Sequence, residues 1–265
     1  HKVSMNPAIF ENDDVAIAYG MGITAENVAK KWKVSRTAQD EFALNSHLKA
    51  LAAQEAGHFN AEILPFEVQQ HIPGTDGTVQ IVKTLVDRDE GPRADSSLEG
   101  LARLRPVFAT EGSVTAGNSS QMSDGAGAVV LMSGTKMKQL GLEPLARFVG
   151  YSVAGVPPEI MGIGPKEAIP KLIKQTGVNM NDVDWIELNE AFAAQALAVM
   201  QEVELDPDKV NPLGGAIAWG HPLGATGAVR TATMVHGLQR TGGSHGMVTM
   251  CIGTGMGAAG LFERC

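Results

Sequence analysis

Residues 183–203 read VDWIELNEAFAAQALAVMQEV, and this stretch contains the pattern that decides the fold. Its first part, Val183–Leu188, is a short apolar run that predicts a strand, and Glu190–Val203 follows with the spacing of a helix. The same alternation of short apolar strands and helices continues from about Val129 to the end of the chain. It indicates an α/β fold with a buried, largely parallel sheet.

Further elements follow from this alternation. The other predicted strands are Ala126–Met132, Ala146–Ala154, Gly246–Cys251 and Ala258–Phe262. The other predicted helices are Thr135–Leu140, Pro165–Gln175 and Ala228–Gln239. The part before about Leu104 is less regular, and its turn and charged residues are typical of an insertion rather than of a core.

Helix signals are present in this less regular part. Thr24 and Ser35 are candidate N-caps for a short helix and for a longer helix that Gly57 ends. The remaining predicted elements are a helix over Ala25–Trp32, strand-like runs over Glu62–Val68 and Thr78–Val86, and a charged loop over Asp87–Asp95.

The overall composition is that of an ordinary globular protein. Of the 265 residues, 44% are hydrophobic and 19% are charged, and the net charge is −8. An acidic chain has no general attraction for nucleic acid or for an anionic membrane surface. Two cysteines do not form a disulfide framework, which favours a reducing cytoplasmic compartment. No segment reaches the roughly 18 apolar residues of a membrane span, so we expect a soluble protein.

The most distinctive motif is the loop Gly214–Gly227, which reads GGAIAWGHPLGATG. Five glycines leave open space around His221, just before the helix predicted from Ala228. The partial positive charge at a helix N-terminus favours neutral imidazole, the form that a general base needs. The alternative is a glycine-rich turn in which the histidine only caps backbone groups.

Two more candidate groups end predicted strands. Cys251 ends an apolar strand and precedes Gly253 and Gly255, a setting that suits a proton-transferring or nucleophilic thiol beside an oxyanion hole, although free cysteines are also common in cores. Asn189 follows another strand, where it is either a helix N-cap or an amide that holds a water or a carbonyl oxygen. Because α/β proteins place their sites at the carboxyl ends of strands, the coincidence favours function.

Other motifs add less or are absent. The hydroxyl-rich loop Ser113–Ser120 is either a plain turn or a lining for a ligand's amide groups, and Arg88 and Arg93 are the nearby cations for a phosphate. The chain has no GxxxxGK[ST], HExxH or paired CxxC motif, and no GxGxxG motif opens a strand-to-helix unit. Nucleotide hydrolysis, dinucleotide chemistry and a metal site are therefore disfavoured, and no metal is expected.

In combination these motifs resemble the thiolase family. The segments NEAF (189–192), the loop Gly214–Gly227 and CIGTG (251–255) occur there in the same order and at similar separations, and VTAGNSS (114–120), DGA (124–126) and IMGIGP (160–165) look like that family too. The resemblance covers essentially the whole chain and is nearest to the degradative 3-ketoacyl-CoA thiolases of bacterial fatty-acid oxidation. It implies a layered αβαβα core, of which this chain holds the C-terminal half plus an inserted loop region.

The resemblance also implies residue roles. His221 activates a nucleophilic thiol, Cys251 is the acid and base for the acetyl carbon and for the thiol of CoA, Asn189 holds a water of one oxyanion hole, and the Gly253 amide contributes to a second. The residues implied to line the CoA channel are Ala116, Ser120, Met161 and Phe192, with Arg93 near the adenine and phosphates. CoA and acyl-CoA are then substrates, and no separate cofactor is expected.

One departure from the family pattern is prominent. Thiolases carry their acylated cysteine in the amino-terminal portion, whereas this chain has no cysteine before Cys251, and Cys265 does not match it. We therefore expect residues 1–112 to be the inserted loop region of the N-terminal domain, residues 113–144 its closing strand and helix, and residues 145–265 the C-terminal domain. On this view the isolated chain does not turn over 3-ketoacyl-CoA.

Alternative functions remain open at this level. They are a biosynthetic acetyl-CoA acetyltransferase, a non-catalytic acyl-CoA-binding protein of thiolase descent, and a Cys/His hydrolase with Cys251 as nucleophile. The family resemblance further implies a homodimer or homotetramer and a multienzyme partner of β-oxidation.

Overall fold

The computed structural model describes residues 6, 7, 9 and 18–265, so the first part of the predicted inserted region, residues 1–5, 8 and 10–17, lies outside the described residues. The α-helices are α1 (Met21–Trp32), α2 (Arg36–Glu55), α3 (Leu98–Ala102), α4 (Gly134–Leu140), α5 (Pro165–Thr176), α6 (Ala193–Val203), α7 (Ala216–Trp219) and α8 (Thr226–Thr241). The strands are β1 (Phe66–Pro73), β2 (Val79–Val86), β3 (Ala146–Gly155), β4 (Val183–Leu188), β5 (His245–Ile252) and β6 (Met256–Arg264). Short 3₁₀ helices cover Ala116–Asn118, Pro158–Ile163 and Met180–Asp182.

The main sheet has the strand order β3-β6-β5-β4. Helices cover both faces, because alternate residues of each central strand enter different clusters: Ile186 of β4 joins α5 and α6 on one side, whereas Trp185 joins Met234 and Leu238 of α8 on the other. This double coverage explains why five of the six residues of β4 are buried.

The expectation of a largely parallel sheet is wrong. Only the β4–β5 pair is parallel in the described part, and β5–β6 and β3–β6 are antiparallel. The reason is the short turn between Ile252 and Met256, since strands joined by a tight hairpin must run in opposite directions. The parallel pair β4–β5 is nevertheless the one whose ends carry Asn189 and Cys251.

Several predicted elements are confirmed with small shifts of their ends. Ser35 caps α2 as expected, its side chain accepting a hydrogen bond from the Ala38 amide. Thr24 is not an N-cap, because α1 begins earlier, at Met21, and the Thr24 hydroxyl donates to the Met21 carbonyl. In the run Glu62–Val68 the strand starts only at Phe66, and residues 63–65 have no regular structure.

The strand predicted over Ala126–Met132 is absent: residues 120–133 have no regular structure, and Val130 is 85% exposed. No strand lies beside this segment in the described part of the chain, and an isolated strand has no partner for its backbone groups. The helix predicted after it is present as α4.

Helices α1 and α2 of the amino-terminal part cover the carboxyl-terminal sheet near the ends of its strands. Helix α1 packs on α6 and on the 3₁₀ helix Pro158–Ile163, and α2 packs on α6 and α7. The hairpin β1–β2 extends from this body as an antiparallel pair with mostly exposed side chains. The candidate site therefore lies where two parts of the chain meet.

Candidate active site

Asn189 lies directly after β4, at the sheet edge where β5 also ends. Leu188 pairs with Thr249, and the backbone N–H of Asn189 donates to the Thr249 carbonyl at 3.0 Å. Cys251 follows Thr249 by two residues, so it projects from the same face of β5. The two parallel strands thus bring an amide and a thiol to one edge, as the sequence predicts.

The interpretation of Asn189 as a helix cap is wrong. Helix α6 begins at Ala193, and the Gln195 side chain reaches back to cap it, accepting from the Phe192 amide at 3.3 Å. The same Gln195 side chain donates to the Asn189 carbonyl at 3.2 Å. The Asn189 side chain is therefore free for another contact.

That contact is with His221. The glycine-rich loop forms the single turn α7, ends it at Gly220 and presents His221 just before α8. The His221 Nε2 atom lies 3.3 Å from Asn189 Nδ2, and its Nδ1 atom lies 2.7 Å from Thr226 Oγ1 at the start of α8.

These partners assign the tautomer of the imidazole. The Thr226 hydroxyl donates its proton to the Pro222 carbonyl at 3.0 Å, so it accepts from His221 Nδ1–H. The Nε2 atom then carries a lone pair, which accepts from the Asn189 amide. This is the neutral tautomer of the imidazole, in which Nε2 is the basic atom.

The pKa values of His221 and Cys251 move in opposite directions. Burial, with a smaller contribution from the Arg230 charge, lowers the pKa of His221 below its ordinary value of 6.5. Burial raises the pKa of the Cys251 thiol to about 11. At neutral pH the imidazole is uncharged and the thiol keeps its proton, so the pair suits a base and an acid rather than a preformed thiolate nucleophile.

Asn189 also has an unused acceptor. Its Oδ1 atom is buried, and no donor in the described part of the chain reaches it. A buried amide oxygen without a partner is costly unless water or a ligand supplies a donor. This position therefore fits the water that the sequence analysis expects Asn189 to hold.

The turn after Cys251 is left-handed at two successive residues. Gly253 has φ +57° and Thr254 has φ +61°, and the second is uncommon for a residue with a side chain. The turn is held from outside by the Val156 amide, which donates to the Gly255 carbonyl at 2.7 Å. The role of the Gly253 amide in an oxyanion hole remains a prediction.

A cleft of about 960 Å³ lies beside this site. Arg93 and Ala116 line it, as expected for a CoA channel, together with His47 of α2 and Ile217 of α7. The His47 Nδ1 atom accepts from the Arg93 backbone amide at 3.2 Å, which fixes the loop that carries Arg93. The Arg93 guanidinium is paired with both oxygens of Asp95, at 3.0 and 2.7 Å.

The other predicted channel residues do not line this cleft. Ser120 and Phe192 lie next to each other, because the Ser120 amide donates to the Ala191 carbonyl and Ser119 forms a bridge with Phe192. Met161 is buried in the 3₁₀ helix Pro158–Ile163. The structure thus brings Ser120 to Phe192 and Arg93 to Ala116.

The loop Ser113–Ser120 is held by α1 and α2. Glu26 accepts from the backbone amides of Ser113 and Val114 at 2.9 Å, and Asn118 donates to Asp40 at 2.9 Å. Many polar groups of this loop are therefore occupied by its own anchoring. Ala116, Gly117 and Ser119 of the same loop line the cleft, and the role of the loop as a lining for a ligand's amide groups stays a prediction.

The sequence analysis missed three contributors. His47 and Thr226 give no motif signal of their own, although the spacing of Thr226 from His221 within one glycine-rich loop was a usable clue. Gln121 joins three segments around the cleft by donating to the carbonyls of Gly91, Ile217 and Ala218. Only the folded chain makes these residues neighbours.

Two further searches cover the described residues. They contain no group of three or more His, Cys, Asp or Glu side chains arranged to hold a metal ion. None of their helices combines the length and apolar character needed to cross a membrane.

Comparison with known families accounts for nearly the whole chain. Residues 4–135 match the model of the thiolase N-terminal domain, and residues 142–264 match that of the thiolase C-terminal domain. The 3-ketoacyl-CoA thiolase of Bacillus subtilis (strain 168) is 51% identical over 245 residues, which is 92% of this chain and 63% of that protein. The alignment leaves more than a third of the relative unmatched.

Solved structures agree with these matches. The acetyl-CoA acetyltransferase of Bacillus anthracis superposes with a TM-score of 0.88 and 46% identity, over 92% of this chain and 60% of that chain. Human mitochondrial 3-ketoacyl-CoA thiolase in complex with CoA gives a TM-score of 0.86 and 44% identity, over 94% and 60%.

The fold is that of a family of α/β enzymes. The chain belongs to the thiolase family, and the predicted thiolase-like fold is confirmed. It spans about 60% of the length of the relatives that it matches.

Proposed function

We propose that this chain is part of a 3-ketoacyl-CoA thiolase, which uses CoA to cleave 3-ketoacyl-CoA into acetyl-CoA and a shortened acyl-CoA. The observation that carries the proposal is the contact between Asn189 Nδ2 and His221 Nε2 at 3.3 Å, at the sheet edge where the strand of Cys251 ends. The name of the Bacillus subtilis relative supports the same activity.

In the first half of the proposed reaction, His221 Nε2 takes the proton of a nucleophilic cysteine. The resulting thiolate attacks the 3-keto carbon, and the bond between C2 and C3 breaks. The acyl group stays on the cysteine, and the electron pair of the broken bond leaves with acetyl-CoA as an enolate. Cys251 donates its proton to that enolate carbon, which its raised pKa allows at neutral pH.

In the second half, the Cys251 thiolate takes the proton of an incoming CoA thiol. The CoA sulfur attacks the acyl-cysteine carbonyl and releases the shortened acyl-CoA, and the cysteine sulfur recovers its proton from His221. Asn189, through a bound water, and the Gly253 amide stabilise the oxyanions of the two halves. All groups then return to their starting states.

The nucleophilic cysteine itself comes from outside this chain in our proposal. The sequence has no cysteine before Cys251, and Cys265 is exposed and lies at the last residue. The acid–base half of the site is present, but the acyl acceptor is not. The isolated chain is therefore inactive in thiolysis.

The test compares two preparations, the 265-residue chain and the full-length gene product that contains it. With acetoacetyl-CoA and CoA, only the longer protein should form acetyl-CoA, and acetyl-CoA alone should acylate one of its upstream cysteines, seen as a mass shift of that peptide. Thiolysis by the 265-residue chain alone would contradict the assignment of the nucleophile.

A second candidate is the biosynthetic direction, condensation of two acetyl-CoA molecules. The structural likeness to the acetyl-CoA acetyltransferase of Bacillus anthracis favours it. Initial rates with acetoacetyl-CoA and with longer 3-ketoacyl-CoA substrates separate the two activities, because the degradative enzyme accepts the longer chains. Binding of CoA by the full-length protein without acylation would instead indicate a non-catalytic acyl-CoA-binding protein.

The remaining assignments belong to the same proposal. The enzyme uses CoA and acyl-CoA as substrates and needs no separate cofactor or metal. It acts in the cytoplasm as a homodimer or homotetramer, with a multienzyme partner of β-oxidation. Size measurement of the full-length protein, with and without that partner, tests the assembly.

A further inference from the structure

Glu190, the residue after Asn189, joins three separate segments. It is 2% exposed, and its carboxylate accepts from the Ser46 hydroxyl of α2 at 2.7 Å, from Asn211 Nδ2 at 2.8 Å and from the Ile217 amide of α7 at 3.2 Å. Ser46 lies 144 positions from Glu190, and Asn211 and Ile217 lie 21 and 27 positions from it, so all three contacts are tertiary.

Each carboxylate oxygen faces a group that can only donate. Oε1 meets the Asn211 amide nitrogen, and Oε2 meets the Ile217 backbone N–H. The orientation of the Asn211 amide is fixed, because its Oδ1 accepts from the Leu188 N–H at 2.9 Å while its Nδ2 donates to the Leu188 carbonyl at 2.8 Å. Glu190 is therefore an acceptor at both oxygens.

Asn211 holds the chain on both sides of Asn189. Its side chain pairs with the backbone of Leu188 in the way that a neighbouring strand would, and it also binds the carboxylate of Glu190. The Asn211 backbone is in the left-handed region at φ +44° and donates to the Ile186 carbonyl at 2.8 Å. The direction in which Asn189 leaves β4 is thereby set.

The other contacts of Glu190 hold the loop that leads to His221. The Ser46 hydroxyl, which donates to Glu190, accepts from the Gly215 amide at 2.9 Å. A side chain at position 215 would place its Cβ 2.0–2.4 Å from the Glu190 carboxyl group, so this close approach requires glycine. Gly215 and Ile217 belong to the turn that ends one residue before His221.

We propose that Glu190 is a positioning residue that holds the Asn189 amide and the His221 imidazole at their contact distance. The Glu190 carboxylate binds Asn211, which holds the end of β4, and Ile217 in the turn before His221. It thereby sets the distance between the Asn189 amide and the His221 imidazole without touching substrate. The proposal concerns how the acid–base half of the site is built and rests on the function proposed above.

Glu190→Gln in the full-length gene product is the test. In either orientation of the new amide, its NH₂ group faces a donor, either Asn211 Nδ2 or the Ile217 N–H. One hydrogen bond of Glu190 is then replaced by a repulsive contact between two donors. We expect kcat for thiolysis to fall by about tenfold to a hundredfold, with KM for CoA within about threefold, because displacement of a catalytic group acts mainly on the chemical step.

A second readout does not depend on activity. Loss of the donor from Asn189 to Nε2 removes a hydrogen bond that favours neutral imidazole, so the pKa of His221 should rise by about half a unit to one unit. Exchange of the imidazole C2 hydrogen, followed by mass spectrometry of the peptide that carries His221, measures this shift. If the wild-type protein lacks thiolase activity, the proposed function fails while this readout still tests the positioning role.

Two further variants complete the experiment. Glu62→Gln is the control, because Glu62 is a half-buried carboxylate that accepts a hydrogen bond from Thr233 of α8, and the change should leave kcat within about twofold. Ser46→Ala replaces Glu190→Gln if that variant does not fold, and should lower kcat about threefold to tenfold, with the same direction of shift in the pKa of His221. An unchanged kcat, or a fall in kcat without a shift in the pKa of His221, would overturn the proposal.

Discussion

The two halves of the candidate site are built in different ways. In the proposed acid–base half, part-buried hydrogen bonds join Asn189 to His221 and His221 to Thr226, and a buried one joins Gln195 to Asn189. In the cleft that Arg93 and Ala116 line, Arg93 forms an ion pair with Asp95, and the two side chains are 65% and 70% exposed. The first half is held by side-chain hydrogen bonds, and the second is open to solvent.

This difference predicts where substitutions act. A buried polar group that loses its partner costs its full desolvation, whereas an exposed ion pair is worth roughly 0–1 kcal/mol. Changes in the acid–base half should therefore lower kcat by large factors, and changes in the cleft should alter CoA affinity by small ones. The following measurements, on the full-length gene product, test that division.

The largest effect is expected from Cys251→Ala. The variant lacks the proton donor for the enolate and the base for the CoA thiol, and general acid–base groups contribute roughly 10²–10⁴-fold. We expect kcat for thiolysis to fall about 10³-fold with little change in far-UV circular dichroism. Acylation of the upstream cysteine by a 3-ketoacyl-CoA should slow in parallel, and activity above a tenth of wild type would refute the role.

The pH profile of kcat/KM should show the opposite pKa shifts of the two groups. Neutral His221 is the active form and its pKa is lowered, so activity is complete at neutral pH and is lost only as pH falls through a midpoint below 6.5, about tenfold for each further unit. Protonated Cys251 is the active form and its pKa is raised, so the alkaline limb should lie near 11. An acid midpoint above 6.5 would contradict the buried, neutral imidazole.

Thr226→Val should have an intermediate effect. It keeps the shape of the side chain but removes the acceptor for His221 Nδ1–H, so the imidazole no longer has one preferred tautomer. We expect kcat to fall about tenfold, the size of one hydrogen bond. Thr231→Val is the control, because Thr231 lies in the same helix and bonds only to the Gly227 carbonyl at 2.7 Å; equal losses in both variants would point to helix stability instead.

The smallest effect is expected in the cleft. Asp95→Ala releases the Arg93 guanidinium for a phosphate of CoA, so the Kd for CoA, measured by calorimetry at low salt, should fall by up to about threefold. The gain should disappear at 1 M salt. Glu99→Gln removes a similar exposed charge, paired with Arg103, and should leave the Kd unchanged; weaker binding in Asp95→Ala would mean that Asp95 itself contacts the ligand.

The strands that lead to Asn189 and Cys251 were predictable because buried strands are rich in apolar residues, and this enrichment is visible in the sequence. Val183–Leu188 is confirmed: both of its faces are covered, and four of its six residues are apolar and buried. The segment Ala126–Met132 has a comparable composition, yet it is not a strand and Leu131 is 76% exposed. An apolar run reports a tendency to be buried, whereas a strand also needs a hydrogen-bonding neighbour.

The site was predictable only in part, for a related reason. Asn189, His221 and Cys251 stand out because glycines and strand ends surround them, but their hydrogen-bonding partners are ordinary residues. Asn189 was open to interpretation as a cap because nothing local shows that Gln195 caps α6 from within. Gln121, Thr226 and Asn211 acquire their roles from neighbours up to 97 positions away.

The sequence by itself determined the α/β class, the carboxyl-terminal elements and the family, and it singled out the three groups to which we assign the chemistry. These follow from local periodicity and from residue types at strand ends, which are properties of short segments. Only the tertiary structure decided that β6 lies antiparallel between β3 and β5, which tautomer His221 adopts, and that Glu190 connects the segments of Asn189 and His221. Those depend on which distant segments come within hydrogen-bonding distance, and only the packing of the folded chain sets that.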